Sequence, residues 1–322
     1  MAEIIELKIP YGIDSEGQLE SAKKAIKGKD YFCPVCFEKI ILRKGKIKRP
    51  HFAHKANTKC SQESVIHKTA KLLIQKVIRD WKAGVNNPPV LLRQCGGCGQ
   101  FKEQKLPEKV EDAVLEYRLK EGVIVDVGLV VNETVQSAVE VKITHEVDDE
   151  KLKEMSIPFI EVDGNAIIEN PYVWKSLKDT FKPFVCKKCK EIFVKFQKKA
   201  QMTAQKCNIE LPKNYYRYGI TTCWKCKREI IVFAWPRDEL HSKNEPKVKP
   251  YPKTIKYYYS RTINAKYWVN TCSYCGAIQG DYYLYMEPDG PFFGAHIRKD
   301  SLKAFREDML HIAFYMDYCG LL

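Results

Sequence analysis

Three polar side chains interrupt two apolar stretches of the sequence, and their types suit phosphate chemistry. Glu140 and Lys142 alternate with apolar residues in the segment 137–144, so both face the same side of a predicted strand. Asp126 interrupts the apolar segment 123–131. Two carboxylates can hold a hard divalent cation such as Mg²⁺ or Mn²⁺, and a lysine can position an attacking water. The pattern predicts metal-dependent hydrolysis of phosphodiesters, with Asp126 and Glu140 as magnesium ligands and Lys142 as the catalytic lysine.

The spacing of these residues favours this interpretation, and a plainer one stays open. A turn at residues 132–133 returns the chain, so Asp126 and Glu140 would lie on neighbouring strands, which are about 4.8 Å apart. In the plainer interpretation, Asp126 caps a turn while Glu140 and Lys142 form an exposed pair on a half-solvated strand. Glu161, on a later predicted strand, is either a supporting acid or an exposed residue.

The chain contains 13 cysteines, and ten of them form five Cys-x-x-Cys pairs. Five such pairs in a chain without a visible secretion signal indicate structural zinc rather than disulfides. In chain order, pairs one to five are Cys33/Cys36, Cys95/Cys98, Cys186/Cys189, Cys223/Cys226 and Cys272/Cys275. Pairs four and five each end a β-prone segment and predict a two-knuckle zinc ribbon. Pairs two and three are predicted to share a second site, with Cys207 as an alternative partner for pair three.

A third zinc site is predicted near the amino terminus. Cys33 and Cys36 supply two of the four ligands that tetrahedral zinc requires. His51, His54 and Cys60 are the candidates for the other two ligands. His54 and Cys60 are favoured, and His51 is the substitute. The sequence therefore predicts three structural zinc ions.

The chain carries a net charge of +14, and this charge is unevenly distributed. Residues 182–266 contain 21 Lys and Arg against 6 Asp and Glu, so the rest of the chain is close to neutral. Residues 103–163, which include the predicted magnesium ligands, contain 16 acidic and 7 basic residues. An acidic core with a basic region suits a polyphosphate substrate that one region binds and the other cuts. A solvated lysine-rich surface is the simpler alternative.

Aromatic residues are interleaved with arginine in two segments of the basic region, 215–218 and 257–261. This composition suits stacking on unpaired bases with phosphate contacts alongside, although tyrosine-rich strands also form the ordinary core and rim of small β domains. Three further lysines crowd the third cysteine pair, which is predicted to be a knuckle. The Pro- and Lys-rich segment 237–252 is predicted to be a mobile loop. The residues predicted to contact nucleic acid, preferably DNA, are Lys187, Lys188, Lys190, Arg217, Tyr218 and Arg261.

Hydrophobic periodicity indicates the elements that position these residues. Residues 64–81 have apolar side chains at helical spacing, with Ser61 as a candidate N-cap. After this helix, the sequence predicts the order strand, strand, strand, short helix, strand. The strands are predicted over 113–119, 123–131, 135–143 and 157–163, the short helix over 148–155, a hairpin over 39–43 and 47–54, and a final amphipathic helix over 302–318.

One part of the sequence resembles a known family. Gly28-x-x-Tyr31-x-Cys33-Pro-x-Cys36 is followed by Lys44-Gly45 and by Arg49-Pro-His-Phe-Ala-His54. These motifs resemble the amino-terminal part of the CoiA-like competence protein family. The likeness continues through Glu63-x-x-x-His67-x-x-x-Lys71 and, more loosely, to about residue 164. Beyond residue 182 no firm likeness to the family is found.

The resemblance implies a zinc module that precedes a nuclease domain of the PD-(D/E)XK superfamily. The predicted order α-β-β-β-α-β is similar to the core of that superfamily. The first core helix of the superfamily often carries an acidic residue that reaches the metal, and Glu63 is the matching candidate; alternatively, Glu63 only favours the helix dipole. Val125 precedes Asp126 where the name of the motif has a proline, which is often missing in the superfamily.

Together these patterns predict an α/β protein with a PD-(D/E)XK nuclease-like αβββαβ core flanked by small zinc-binding β modules. The expected domains are a zinc-binding hairpin domain over 1–62, a nuclease-like domain over 63–182 and a basic zinc-ribbon nucleic-acid-binding domain over 183–322. The expected function is Mg²⁺-dependent cleavage of DNA, either in DNA processing linked to competence and recombination or in defence against foreign DNA.

Two other functions stay open. The chain could be a nucleic-acid-binding adaptor that retains a nuclease fold without turnover, or a zinc protein whose basic region recruits an acidic protein. No apolar run approaches the roughly 20 residues of a membrane span, and no signal peptide is visible, so a cytoplasmic location without membrane contact is expected. A protein partner or a homo-oligomer is compatible with the sequence.

Overall fold

The protein is a mixed α/β protein with several separate sheets. In the chain's computed structural model, two compact units are distinguished: residues 1–94 with 101–182, and residues 95–100 with 183–322. The cysteine-containing turn at 95–100 thus belongs with the second unit. The described residues are 8–47, 49–54, 60–143, 151, 154–212, 215–237, 239–293 and 302–322, with side chains in the last range from residue 309 onward.

A small five-stranded sheet opens the first unit, with the strand order β2-β1-β3-β4-β5. Strands β4 and β5 are antiparallel, with Leu42 opposite Phe52, so the predicted hairpin is confirmed. Phe52 is fully buried and contacts the ring of Tyr31 with centroids 4.9 Å apart. The strands are β1 (Tyr11–Asp14), β2 (Leu19–Ser21), β3 (Tyr31–Phe32), β4 (Lys39–Arg43) and β5 (His51–Ala53).

A seven-stranded sheet forms the larger part of the first unit, in the order β7-β6-β12-β11-β10-β9-β8. Strands β9 and β10 are antiparallel neighbours, whereas β10 and β11 run parallel. This sheet brings Asp126 and Glu140 onto adjacent strands. Its strands are β6 (Val90–Gln94), β7 (Phe101–Lys105), β8 (Asp112–Arg118), β9 (Ile124–Val131), β10 (Thr134–Lys142), β11 (Phe159–Asp163) and β12 (Val173–Asp179).

Helix α1 (Gln62–Lys82) packs on this sheet through the apolar face that its periodicity predicts. The Ser61 hydroxyl accepts a hydrogen bond from the Ser64 N–H at 3.0 Å, as expected of an N-cap. Ile74 and Ile78 are fully buried in the cluster that joins α1 to the sheet. A short helix α2 (Gly164–Glu169) follows β11 and is capped by Asp163. The short helix predicted over 148–155 falls mostly outside the described residues.

The second unit combines helices with two small sheets around a core of aromatic side chains, including the fully buried Phe196, Phe233 and Phe292. One sheet pairs β13 with β14, and the other has the order β15-β16-β17. The final helix spans the residues predicted for it. The elements are α3 (Lys187–Lys206), β13 (Arg217–Thr222), β14 (Glu229–Ala234), β15 (Ile255–Ser260), β16 (Ala265–Thr271), β17 (Ile278–Gln279), α4 (Asp281–Met286) and α5 (Leu302–Tyr318).

The segment 237–252 lacks regular secondary structure where it is described, but strong contacts fix it. The guanidinium of Arg237 forms a buried ion pair with Asp281 at 2.7 Å and lies over the rings of Trp235 and Tyr285. The Ser242 carbonyl accepts a hydrogen bond from the Trp268 N–H at 3.1 Å. These contacts anchor Arg237 and Ser242 within the segment, which its Pro and Lys content did not indicate.

Candidate carboxylate site and metal centres

Asp126 and Glu140 meet where the pairing of β9 with β10 ends. The last main-chain pair in register is Val127 with Val139. Beyond it, the Asp126 N–H donates to Glu140 Oε1 at 3.1 Å, and the Val141 N–H donates to Asp126 Oδ2 at 2.9 Å. The two carboxylates therefore take the place of main-chain acceptors, which satisfies donors that the ladder leaves unpaired.

The strand alternation breaks at Asp126. Val127 lies in the apolar cluster around α1, whereas Val125 lies in a different cluster with Ala138 and Phe159. Regular alternation would place both valines on one face of the sheet. This irregularity lets the Asp126 carboxylate contact α1 while it remains close to Glu140.

Basic side chains that sequence reasoning left unassigned surround both carboxylates. His67 Nε2 lies 3.1 Å from Asp126 Oδ2, and Lys71 Nζ lies 3.4 Å from Asp126 Oδ1. Lys71 also lies 3.0 Å from the carboxylate of Glu116. Lys151 Nζ lies 2.6 Å from Glu140 Oε2. For α1, the spacing of histidine and lysine four residues apart on one helix face was the available signal.

The two carboxylates have opposite pKa shifts. Burial raises the pKa of Asp126, but the hydrogen bond and charge of His67, the Val141 N–H and the Lys71 charge outweigh it and lower that pKa to about 2. Burial and the negative charge of Asp126 raise the pKa of Glu140, and Lys151 only partly opposes them. Further positive charge at this site would therefore stabilise the ionised form of Glu140 beside the Asp126 carboxylate.

The other predicted residues of this site have different positions. Lys142 is partly exposed and lies in register with Asp163 of β11. Glu63 lies on the exposed side of the first turn of α1, four residues before His67. Glu161 is 5% exposed and in register with Glu140, so the structure favours the supporting acid over the exposed residue.

The amino-terminal ligand group supplies one atom from each residue, and these atoms lie within 4.8 Å of one another. Its members are Cys33, Cys36, His54 and Cys60. Cys33 Sγ lies 4.0 Å from Cys60 Sγ, and Cys36 Sγ lies 3.9 Å from His54 Nε2. Sulfurs about 2.3 Å from a tetrahedral zinc are roughly 3.8 Å apart, so the group fits zinc. The Glu38 carboxylate lies 3.7 Å from His54 Nδ1, which is too far for a hydrogen bond.

His51 lies outside this ligand group. Its Nδ1 is 2.9 Å from the Arg49 carbonyl oxygen, and its buried Nε2 has no hydrogen-bond partner among the described residues. The group thus contains the favoured ligands His54 and Cys60, and it does not contain the substitute.

The second ligand group joins cysteine pairs two and three within the second unit. Cys95, Cys98, Cys186 and Cys189 bring their sulfurs within 4.8 Å of one another. A side chain at Gly97 would place its Cβ 2.8 Å from Cys189 Sγ, so the turn requires glycine there. Cys207, the alternative partner, is not part of the group.

The third ligand group joins pairs four and five, as predicted for a zinc ribbon. Its members are Cys223, Cys226, Cys272 and Cys275. The sulfurs of Cys223 and Cys275 are 3.7 Å apart, and those of Cys226 and Cys272 are 3.6 Å apart. These separations match the tetrahedral spacing of roughly 3.8 Å. Three groups in the described chain can therefore hold zinc.

Backbone donors prepare one sulfur in each of the last two groups for metal. Burial raises the pKa of Cys95, but N–H groups of Cys186, Cys98 and Gly97 outweigh it and lower that pKa to about 6. Burial likewise raises the pKa of Cys223, and the backbone groups of Cys226 and Lys225 help lower it to about 6. Thiolates are the form that binds zinc.

The residues predicted to contact nucleic acid fall into two classes. Lys187, Lys188 and Lys190 are exposed, but they lie in the first turn of α3, with Cys186 as its N-cap, rather than on a β knuckle. Arg261 is also exposed. In contrast, Arg217 is 5% exposed, and the ring of Tyr218 stacks on Phe196 with centroids 5.9 Å apart. The segment 215–218 therefore builds core rather than an open stacking surface.

The described helices include none that is both long and apolar enough to cross a bilayer.

Residues 15–63 match the family model described as "Competence protein CoiA, N-terminal domain". No curated protein and no solved structure matches the chain. The matched range contains all four members of the amino-terminal ligand group and ends at the second residue of α1. The resemblance to the CoiA-like family is thereby confirmed for the amino-terminal domain.

Proposed function

We propose that this CoiA-like protein is a metal-dependent nuclease that cleaves DNA in a competence-associated process. The observation that carries the proposal is the paired arrangement of Asp126 and Glu140 across β9 and β10. The CoiA match supports the competence-associated setting. The order of α1, β8, β9, β10 and β11 supports a nuclease core of the PD-(D/E)XK type.

Asp126 and Glu140 fit a hard divalent cation in donor chemistry, because the buried Glu140 and the partly buried Asp126 each offer carboxylate oxygens. The raised pKa of Glu140 marks negative charge that its neighbours leave partly uncompensated. A bound Mg²⁺ or Mn²⁺ would supply Lewis acidity toward a phosphate oxygen.

The remaining side chains would orient the carboxylates and the attacking water, and would neutralise charge on the reacting phosphate. Lys71 and His67 hold the Asp126 carboxylate in place from α1, and Glu161 adds negative charge beside Glu140. Lys142 would orient the attacking water. As that water adds to phosphorus and the bond to one sugar oxygen breaks, the lysine charge would offset the developing negative charge.

Cleavage assays test the proposal. The full-length zinc-loaded protein is incubated with Mg²⁺ or Mn²⁺ and single-stranded, duplex or branched DNA. We expect cutting by the wild type and a loss of at least about 100-fold in Glu140→Ala and Lys142→Ala, because each removes a charge that acts on the reacting phosphate. Glu103→Ala is the matched control, since it removes an exposed carboxylate from β7 of the same sheet. Absence of cleavage by the wild type on every substrate would refute the proposal.

One observation favours a second candidate, an adaptor that binds nucleic acid without cutting it. Lysines already lie against the carboxylates that would bind the cation, with Lys71 at Asp126 and Lys151 at Glu140. Such pairs would stabilise a nuclease-like fold that has no turnover. Calorimetric titration with Mg²⁺ separates the two functions, because an enzyme must bind the cation at this site and Glu140→Ala must abolish that binding.

A further inference from the structure

The outer half of the β15–β16 hairpin presents aromatic rings on one face. Directly opposite residues of antiparallel strands share a face, and here Tyr257 is opposite Trp268 and Tyr259 is opposite Lys266. The rings of Tyr257 and Trp268 have centroids 5.6 Å apart. These four residues are termed the tyrosine face.

The tyrosine face leaves large ring surfaces in water. Tyr257 is 47% exposed and Tyr259 is 48% exposed. Strand β15 contains four consecutive exposed residues from Lys256 onward, although its two ends are buried. Exposed aromatic residues that adjoin one another mark interaction sites. The neighbouring Trp268 ring also packs edge-on against the ring of Tyr251, with centroids 5.2 Å apart.

The charge of the chain around this face is mainly positive, although the Glu245 carboxylate lies 3.2 Å from Lys249. Residues 246–280 contain six Lys and Arg and no Asp or Glu. Lys256, Arg261 and Lys266 are exposed on or beside the hairpin. The face therefore complements a polyanion that also offers flat apolar surfaces. Nucleic acid has both properties, whereas an acidic peptide supplies carboxylates without a row of planar rings.

We propose that the tyrosine face binds an unpaired nucleic acid strand, with bases stacked on Tyr257, Tyr259 and Trp268 and phosphates near the exposed lysines. Bases in a duplex hide their faces within the helical stack, so only an unpaired strand can offer them. The inference deepens the proposed nuclease function by naming the form of its substrate. It also replaces the two predicted stacking segments by one, because the segment 215–218 is committed to the core.

Fluorescence anisotropy tests the proposal. Labelled 20-nucleotide single strands of DNA and of RNA, and the matching DNA duplex, are titrated with the full-length zinc-loaded protein at low salt without added divalent cation. We expect single strands to bind at least about tenfold more tightly than the duplex. The double variant Tyr257→Ala/Tyr259→Ala should bind single strands at least about tenfold more weakly, because stacking on each ring contributes to affinity.

Two controls separate ring stacking from other effects. Tyr257→Phe/Tyr259→Phe keeps the rings and should retain affinity within about threefold. Tyr282→Ala removes a tyrosine that is 61% exposed on α4 of the same unit and should leave binding unchanged. Three zinc ions per chain in each variant would show that the fold is intact.

The outcomes are distinct from those of the nuclease test. Equal binding of duplex and single strands, or unchanged affinity in the alanine double variant, would overturn the proposal, as would failure to bind any oligonucleotide. If single strands bind in the expected way but the wild type never cuts DNA, the proposed nuclease function fails and the tyrosine face stands. A difference in affinity between the DNA and RNA single strands would show which of the two the tyrosine face binds in preference.

Discussion

In the carboxylate site of the first unit, lysine side chains neutralise the negative charge. In the cysteine groups, backbone N–H groups support a thiolate but do not neutralise its charge. Asp126 and Glu140 lie against Lys71 and Lys151 at 3.4 and 2.6 Å. In the cysteine groups, the thiolate form of Cys95 is supported mainly by backbone N–H groups. Backbone donors stabilise a thiolate, but they do not cancel the charge that several buried thiolates would share. We therefore expect the carboxylate site to stay folded without a metal ion and the cysteine groups to need one.

This difference follows from the elements that hold each site. The carboxylates lie on a seven-stranded sheet whose apolar cluster with α1 stabilises it without a metal. The ribbon cysteines Cys223 and Cys272 are themselves members of the buried core of the second unit. Metal removal should thus unfold the second unit and leave the large sheet folded.

Loss of the ribbon site should have the largest effect. Cys223→Ser/Cys226→Ser removes two of four ligands, and structural zinc contributes about 10–16 kcal/mol of apparent binding energy, comparable to the whole stability of a domain. We expect the variant to lose one zinc per chain and amide protection in β13–β16. Zinc analysis and hydrogen exchange measure both effects. Cys319→Ser is the control, because Cys319 lies outside the three groups. Retained protection in β13–β16 would contradict the comparison.

The amino-terminal ligand group offers a sharper test, because one nearby histidine, His54, belongs to the group and another, His51, does not. His54→Ala removes a ligand, and we expect one zinc per chain to be lost and the five-stranded sheet to open. His51→Ala removes a buried ring that lies outside the group, so zinc content should stay at the wild-type value. Metal analysis of the two purified variants decides the matter. Equal zinc loss in both would mean that His51 is a ligand as well.

An intermediate loss of unfolding free energy is expected when Lys71 of the carboxylate site loses a carboxylate partner. Asp126→Ala leaves Lys71, which is 6% exposed, without one of its two partners. Breaking a buried ion pair costs about 3–5 kcal/mol, and the remaining Glu116 places the expected loss near the lower end. Glu116→Ala should cost less than about 1 kcal/mol, because that carboxylate is half exposed. Urea unfolding of both variants measures the two losses, and equal values would show that Asp126 is not the principal partner of Lys71.

The sequence predicted best the features that few residues determine. The helix over 64–81 and the strands around Asp126 and Glu140 have clear apolar periods, and the structure places α1, β9 and β10 within a few residues of these bounds. Zinc grouping was predictable because tetrahedral coordination allows few ways to combine five cysteine pairs.

Features that depend on distant contacts were not predictable in the same way. Helix α3 was missed because seven of its first 13 residues are basic or cysteine, and this composition conceals the buried Ile192 and Phe196. Lys71 reaches Asp126 across 55 residues of sequence, a contact that no local pattern specifies. Tyrosine-arginine segments have similar compositions in the core at 215–218 and on the surface at 257–261, so only packing could distinguish them.

The smallest expected effect is a pH dependence at the carboxylate site. The pKa of Asp126 is lowered to about 2 from its ordinary value of 3.8, so the stabilisation is fully present above the unfolded pKa and is lost as pH falls through the folded one. The difference in unfolding free energy between wild type and Asp126→Asn should be about 2 kcal/mol at pH 7 and should shrink between about pH 5 and pH 2.

Urea unfolding at pH 7, 5, 4 and 3 measures this difference. Acid also weakens zinc binding, but it does so in both proteins, so this effect cancels in the difference. The substitution removes a charge that raises the pKa of Glu140, which makes the variant more stable and the measured difference a lower bound. A difference that stays constant or grows towards pH 3 would mean that Asp126 gains nothing from His67 and Lys71. The carboxylate site would then resemble the cysteine groups in its need for a metal ion.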